Sequence, residues 1–382
     1  MHVCIVYDCL YPYTIGGAER WYRNLSERLG AAGHEVTFLT LRQWDRGADP
    51  SVPGVHVVAV GPRMALYTRK GRRRILPPVV FGIGVLRHLL QHGKRYDIVH
   101  TASFPYFSVL AAGAARGRGR FRIVVDWHEV WTREYWTEYL GLLAGRIAWL
   151  VQRACLRVPQ RAFCFSRLHE RRLRELGLSG ELTLLEGQYE ESRREPRMPA
   201  DPLPVAVFAG RLIPEKRVPA LVPAIARARR AIPDLRGEIF GDGPERAEVL
   251  RAIERERLDG AISAPGFVDP EVLERTLSTA LCLLLPSRRE GYGRVVVDAA
   301  AHGVPTIVVE GPDNAATELV EEGVNGAIAR SADADELAAA IVRVHRAGPE
   351  LRRSTLDWFR LNADRLSLER SLSIVLEAYA RT

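Results

Sequence analysis

The chain predicts an α/β protein built from two Rossmann-like, doubly wound parallel-sheet domains. Three observations carry this. Short Val/Ile/Phe-rich runs alternate with helical stretches, and runs that are apolar throughout belong to parallel strands covered on both faces. The alternation occurs twice, in blocks of similar size, which is what two domains of this class require. A polar, proline-bearing stretch, Glu190-Glu-Ser-Arg-Arg-Glu-Pro-Arg-Met-Pro199, separates the blocks and has the composition of a linker. The length of 382 residues fits two to three domains.

The elements follow in order. Residues 2–7 form the first strand, residues 17–32 a helix ended by Gly33, and residues 35–41, 56–60, 97–101, 122–126 and 162–165 the next strands. They make up an N-terminal domain over 1–185, and a linker covers 186–204. Strands at 205–209, 236–240, 280–285 and 306–309 then alternate with helices at 219–230, 245–257, 270–278 and 334–346, in a second domain over 205–360. Residues 349–381 keep a helical period, and 361–382 is expected to return as a helix to the first domain. Ligands of such sheets sit at the carboxyl ends of the strands, so paired domains of this type are expected to face each other across a cleft.

Composition narrows the class. Hydrophobic residues make up 47% and charged residues 26% of the chain, no window offers the apolar length of a membrane span, and the N-terminus lacks a secretory pattern. A cytoplasmic location is expected, with peripheral contact at the inner membrane face left open. The five cysteines, at 4, 9, 155, 164 and 282, lack zinc-site spacing and read as small buried hydrophobes. The net charge of +8 suits an anionic ligand or an anionic membrane surface. No recognition motif accompanies it, which argues against nucleic acid.

The most informative segment is Ser287-Arg-Arg-Glu290-Gly291-Tyr292-Gly293-Arg-Val-Val-Val-Asp298, closed by Gly303. An apolar strand leads into a polar turn with two glycines and then into an apolar helix. Glycines let backbone N–H groups approach a ligand, and a helix N-terminus favours an anion. Asp298 is placed about two turns into the helix on the side of Glu290, so that both carboxylates could accept from sugar hydroxyls.

This segment resembles the Glu-x7-Glu signature of retaining GT-B glycosyltransferases of family 4, the glycosyl transferases group 1. In that family the first acid contacts the donor sugar and the second the ribose. Glu290 matches the first, and Asp298 stands where the family usually has Glu, with a shorter reach. Other stretches match in order. Gly210-Arg211-Leu-Ile-Pro-Glu215-Lys216 resembles the stretch whose Arg and Lys grip the donor diphosphate, and a guanidinium fork beside an ammonium suits a pyrophosphate. Gly241-Asp242-Gly243 resembles the Gly-x-Gly turn near the donor, and Gly266-Phe267-Val268 the segment that meets the nucleobase. Gly16-Gly17-Ala18-Glu19 resembles the loop against the donor phosphate and the acceptor. His128 matches a histidine beside the transferred sugar, with Glu129 in place of the family's Asp. The resemblance spans residues 3–330. The family's Pro-Asn-Gly turn is absent, and Leu185-Glu186-Gly187 stands there.

Other signals carry less. Asp333-Ala-Asp335 mimics a metal-binding Asp-x-Asp but lies at a helix start, where N-capping explains it better. His128-Glu129 and His169-Glu170 lack the second histidine of a zinc protease motif. The basic run Arg69-Lys70-Gly71-Arg72-Arg73-Arg74 suits a phosphorylated acceptor or a lipid head, or else a solvated loop, with Arg72 and Arg73 the acceptor candidates. Trp131, Tyr135 and Trp136, with Trp127 and Tyr139 nearby, suit either an acceptor platform or core packing. Residues 143–158 form an amphipathic helix with Arg146, Arg153 and Arg157, for which packing is favoured over membrane contact.

The resemblance implies an enzyme that binds a nucleotide-diphosphate sugar and moves its sugar to an acceptor hydroxyl with retention of configuration. It implies no metal and no other cofactor. The expected acceptor is a saccharide, a lipid-linked glycan or a secondary metabolite. Arg211 and Lys216 would stabilise the leaving diphosphate, and Glu290 and His128 would orient the sugar. Two alternatives remain: a glycosyltransferase-like binding module without catalysis, suggested by the Asp298 and Glu129 departures, and a nucleotide-sugar epimerase of the same fold.

Overall fold

The computed structural model describes residues 1–45, 47–48, 50–68, 73–190 and 202–381. Residues 69–72 of the basic run, Arg72 among them, and 191–201 of the expected linker lie outside the described residues. The chain divides into two units. One holds Met1–Thr68, residues 72–188 and 369–382, and the other holds Tyr189–Leu368.

The first unit alternates β1 (His2–Val6), α1 (Gly17–Ala31), β2 (Glu35–Leu41), β3 (Val55–Gly61), α2 (Leu76–His92), β4 (Ile98–Ala102) and α3 (Phe107–Gly119). It continues with β5 (Arg122–Trp127), α4 (Arg133–Leu140), α5 (Leu142–Leu156), β6 (Gln160–Cys164), α6 (Arg167–Glu175) and β7 (Gly180–Leu184). All strands run parallel in the order β3-β2-β1-β4-β5-β6-β7. The order reverses between β1 and β4, so the carboxyl ends of these strands mark the crevice at which such sheets bind ligands. Val3–Val6, Ile98–Ala102 and Ile123–Trp127 are buried along their whole length. Burying one such large apolar side chain contributes about 1.5–3 kcal/mol, which explains why these strands lack polar alternation.

The second unit runs β8 (Val205–Ala209), α7 (Leu221–Ala228), β9 (Arg236–Phe240), α8 (Arg246–Glu256), β10 (Ile262–Gly266), α9 (Pro270–Thr279) and β11 (Cys282–Leu285). After it come β12 (Arg289–Glu290), α10 (Arg294–Ala301), β13 (Thr306–Val309), β14 (Asp313–Asn314), β15 (Gly326–Ala329) and α11 (Ala334–Leu366). Its main sheet is parallel, in the order β10-β9-β8-β11-β13-β15, and reverses between β8 and β11. Helix α11 breaks its helical geometry at Gly348, just before Pro349, whose missing N–H cannot continue the ladder. Arg352, buried at 2% exposure, then ties this helix to the carbonyls of Ser278 and Ala280.

A last helix, α12 (Leu368–Ala380), joins the first unit from Glu369 onward. Ser371 Oγ accepts from Gly187 N at 3.1 Å, Arg28 pairs with Glu369, and the Tyr379 hydroxyl lies 2.5 Å from His100 Nδ1. Among the described residues no helix is long and apolar enough to cross a membrane. All five cysteines are free and buried, and burial pushes the Cys282 thiol up to about 12, so it stays protonated and unreactive.

Three features of the fold correct the sequence reading. Strands β7, β10 and β15 were not expected, and all three are sheet edges. Asp333 holds the N-cap position of α11 without capping its backbone, and accepts instead from Ser331 Oγ at 2.8 Å. Helix α5 turns Leu142, Leu143, Ile147 and Leu150 outward at 56–75% exposure, so that face is not packed within the unit.

Candidate functional site

The strand ends at the second unit's switch point interlock through their backbones. Gly210 N donates to Phe240 O at 3.0 Å, Leu212 N to Asp242 O at 2.9 Å, and Gly241 N to Gly266 O at 2.8 Å. Gly241 has a φ of +125°, and a methyl group there would run into the Gly210 carbonyl oxygen. Glycine is therefore required by the close approach of two chain segments. Gly210, Gly241 and Gly243 thus form one layer beside Phe267, which stands 70% exposed next to Val268.

Lys216 and Glu290, from the loops after β8 and β11, meet as an ion pair on Oε1 of the glutamate. Ser287 Oγ donates to the same oxygen at 2.7 Å. Strand β12 aligns Glu290 with Asn314 of β14, and the Asn314 amide donates to Ser287 O at 3.1 Å and Val309 O at 2.7 Å. Glu290 is 8% exposed and its carboxylate is held by two groups, Lys216 and Ser287, while Oε2 accepts no hydrogen bond from the described residues. Glu290 is thus a rigid acceptor with one oxygen open. Ser287 and Asn314, which set its position, carried no sequence signal beyond lying beside strand ends.

Further cations lie on the same two loops. Arg211 is exposed at the end of β8. Arg217 adopts a left-handed φ of 52°, where a side chain is strained and glycine is usual. Partial burial and the nearby Arg288 guanidinium lower the Arg217 pKa. Arg288 N donates to Glu215 O at 2.8 Å, which stitches the two loops together. Like charges brought this close are relieved by an anion.

Helix α10 opens at Arg294 behind Gly293, whose φ is +98° and whose absent side chain leaves room for Ala316. Gly291 and the buried Tyr292 precede it. Asp298 lies just over one turn into this helix, not two. Its Oδ2 lies 3.7 Å from Arg294 Nε, and Arg294 also reaches Glu190 at 3.5 Å.

In the first unit Gly16 precedes α1, and Glu19 folds back over it so that a side chain at Gly16 would strike the carboxylate. Gly17 has open space on its side-chain side. His128 follows β5 with its ring stacked on Phe165 at 4.6 Å and an interplanar angle of 5°. Its Nε2 is buried and finds no hydrogen-bond partner among the described residues. Burial holds the His128 pKa below the ordinary 6.5 against the opposing pull of Asp126 and Glu129, so the ring is neutral near pH 7.

Beneath it Asp126 is fully buried. Trp21 Nε1 donates to its Oδ2 at 2.7 Å, and His100 Nε2 lies 2.8 Å from its Oδ1 at an ion-pair distance, outside hydrogen-bonding angles. Burial alone would raise its pKa, but His100 and the Trp21 hydrogen bond outweigh it and hold Asp126 below the ordinary carboxylate value. This chain, from Tyr379 through His100 to Asp126, was missed in the sequence because its members lie on different elements.

Three acceptor expectations are corrected. Arg73 is not part of an exposed cationic run: its guanidinium pairs with the fully buried Asp8 and lies over the Tyr67 and Phe104 rings. Asp8 holds it charged against the cost of burial. Tyr135 and Trp136 are 6% and 4% exposed and belong to the core, where Gln152 Oε1 accepts from Trp136 Nε1 at 3.1 Å. Trp131 stays partly buried, its Nε1 donating to Glu129 Oε2 at 2.6 Å. Among the described residues no group of three or more His, Cys, Asp or Glu side chains could hold a metal ion.

Comparison with known proteins agrees with this architecture. Residues 15–185 match the family model "Glycosyltransferase Family 4", and residues 203–347 match "Glycosyl transferases group 1". The chain is 28% identical over 360 residues to a glycogen synthase of Mycobacterium tuberculosis, covering 86% of this chain and 82% of that one. Its fold is similar to that of sucrose-phosphate synthase from Thermosynechococcus elongatus, with a TM-score of 0.80 at 19% identity over 100% and 98% of the two chains. It is also similar to Anabaena HepE in complex with UDP-glucose, with a TM-score of 0.73 at 17% identity over 100% of both chains. Matched in both halves by glycosyltransferase domains and carrying two parallel-sheet units, the chain belongs to the glycosyltransferases of GT-B fold.

Proposed function

We propose that the protein transfers a sugar from a nucleoside-diphosphate sugar to an acceptor hydroxyl, with retention of anomeric configuration and without a metal ion. The observation that carries this reading is Glu290, fixed on one oxygen by Lys216 and Ser287 with the other oxygen open. A rigid acceptor of this kind reads sugar hydroxyls at little entropic cost. Arg211, Lys216 and Arg217 supply the positive charge that a departing diphosphate needs. In the reaction the bond from the anomeric carbon to the diphosphate oxygen breaks and a bond to the acceptor oxygen forms on the same face. The acceptor proton passes to the leaving diphosphate. A protein of the same fold holds UDP-glucose, which supports a nucleotide-sugar donor. The outward Leu142, Leu143, Ile147 and Leu150 on α5, with Arg146 among them, favour an acceptor carried by a lipid at an anionic bilayer.

The test is a transfer assay with a panel of nucleoside-diphosphate sugars, run with EDTA present. Wild type is expected to transfer, and Glu290→Ala to lose on the order of a hundred-fold in rate. Binding of the bare nucleoside diphosphate should hold or tighten, because Lys216 is released from its pair. Wild-type transfer by Glu290→Ala would overturn the reading. Rescue of an EDTA-inhibited enzyme by manganese would overturn metal independence, and conversion of the donor without acceptor would mark an epimerase.

A further inference from the structure

The first unit carries a cavity of about 980 Å³ at the amino-terminal edge of its sheet, where β4 and β5 begin and α3 ends. None of the candidate residues described above, at the carboxyl ends of the strands, lines it. Its wall includes Lys94, Arg118, Arg120 and Arg122, and Asp97 is the one carboxylate among the described lining residues. Asp97 is already engaged, accepting from His2 N at 2.8 Å. No ion pair reaches Lys94, Arg118 or Arg120 from the described residues. Arg122 donates to Tyr379 O at 2.7 Å, at the end of α12.

The local sequence Arg116-Gly-Arg-Gly-Arg-Phe-Arg122 explains how the cations converge. Arg120 closes α3 in the left-handed region, with a φ of 62°, and its N–H bonds Arg116 O at 2.8 Å. Glycine is the usual residue at that position, and here a guanidinium is kept at a cost that glycine would avoid. Such strain is retained where a side chain has a task. Gly119 is explained by packing, since a methyl group there would strike the Phe121 ring. Gly117 is not: it lies in a helix, its φ is ordinary, and nothing stands within 4 Å of where its side chain would be. Its effect is to leave the mouth of the cavity bare.

We propose that this cavity binds a ligand carrying two or more phosphate groups. Guanidinium forks and an ammonium lining one cavity, with a single, already engaged carboxylate among the described lining residues, match several phosphate oxygens at once. The volume suits a molecule of nucleotide or sugar-phosphate size. The phosphates could be those of a soluble metabolite or of a lipid headgroup.

The probe is inorganic tripolyphosphate, titrated by calorimetry into wild type, Arg118→Ala/Arg120→Ala and Arg211→Ala. The double variant is expected to lose about ten-fold or more in affinity, as removal of charge-assisted contacts implies. It should keep the nucleoside-diphosphate binding that Arg211→Ala weakens, which separates this site from the proposed donor site. Arg120→Gly relieves the left-handed strain, so it should melt higher and yet bind tripolyphosphate more weakly, which rules out loss through misfolding. Co-sedimentation with vesicles of equal parts phosphatidylglycerol and phosphatidylcholine distinguishes the sources. Vesicle binding that falls in the double variant assigns a lipid headgroup, and loss of tripolyphosphate binding alone assigns a soluble phosphate. A double variant with the wild-type tripolyphosphate isotherm, or weakening only in Arg211→Ala, overturns the proposal.

Discussion

Asp126 and Glu290 are both carboxylates at the carboxyl ends of parallel strands, and solvent barely reaches either. They are spent differently. Trp21 occupies one oxygen of Asp126 and His100 stands against the other, and through His100 the carboxylate is linked to Tyr379 on α12. It fastens α1, β4, β5 and the last helix together. Glu290 is secured on a single oxygen by Lys216 and Ser287, and Arg211 and Arg288 are exposed on the same two loops. A fully buried carboxylate, bonded by Trp21 on one oxygen and faced by His100 on the other, can only position its neighbours, among them the His128 ring stacked on Phe165. One with an oxygen to spare can read a ligand. The two units thus place their polar groups under opposite demands, stability in the first and recognition in the second.

The largest expected effect that could break this contrast is on stability. Asp126→Asn removes the carboxylate that His100 faces at 2.8 Å in a fully buried site, and breaking such a buried pair costs about 3–5 kcal/mol. Glu290→Gln keeps the Ser287 contact and should cost no more than about 1–2 kcal/mol. Urea denaturation of both variants decides the matter, and equal losses would mean that Glu290 is as structural as Asp126.

A smaller effect is expected on ligand affinity. Arg211→Ala should weaken nucleoside-diphosphate binding about ten-fold, or about 1.4 kcal/mol, and leave the free nucleoside nearly unaffected. Calorimetry with the two ligands checks this. Equal weakening of both would show that Arg211 supports the loop instead of the diphosphate.

The smallest effect should have opposite signs in two measurements. Arg217→Gly removes the cost of a left-handed side chain and should stabilise the second unit by about 0.5–1 kcal/mol. It also removes a cation beside Lys216, so diphosphate affinity should fall a few-fold. A variant that melts higher and binds as tightly as wild type would take Arg217 out of the site.

Much of this arrangement was legible in the chain. The central strands were visible because burial on both faces demands unbroken apolar runs, as in 3–6 and 205–209. The edge strands β7, β10 and β15 were not. Gly-Glu-Leu-Thr-Leu and Ile-Ser-Ala-Pro-Gly mix glycine, proline and polar residues into short runs and carry no strand signal, and Pro265 is tolerated because an edge needs no ladder on one side. The aromatic cluster could be read two ways because helical spacing does not say which face is covered. Only the packed structure, with Trp136 donating to Gln152 and Tyr135 against Trp131, put these two side chains in the core.

The sequence by itself determined the two-sheet architecture and the candidate loops, because periodicity, glycines at strand ends and the order of the motifs are local properties that survive in one dimension. The tertiary structure alone decided the partners: Arg73 with Asp8, Lys216 with Glu290, and Tyr379 with His100 across 279 positions of chain. A charged group in water looks the same wherever it stands in a sequence. Its energy, and with it its role, is set by how much solvent folding removes and by which counter-charge folding brings in its place.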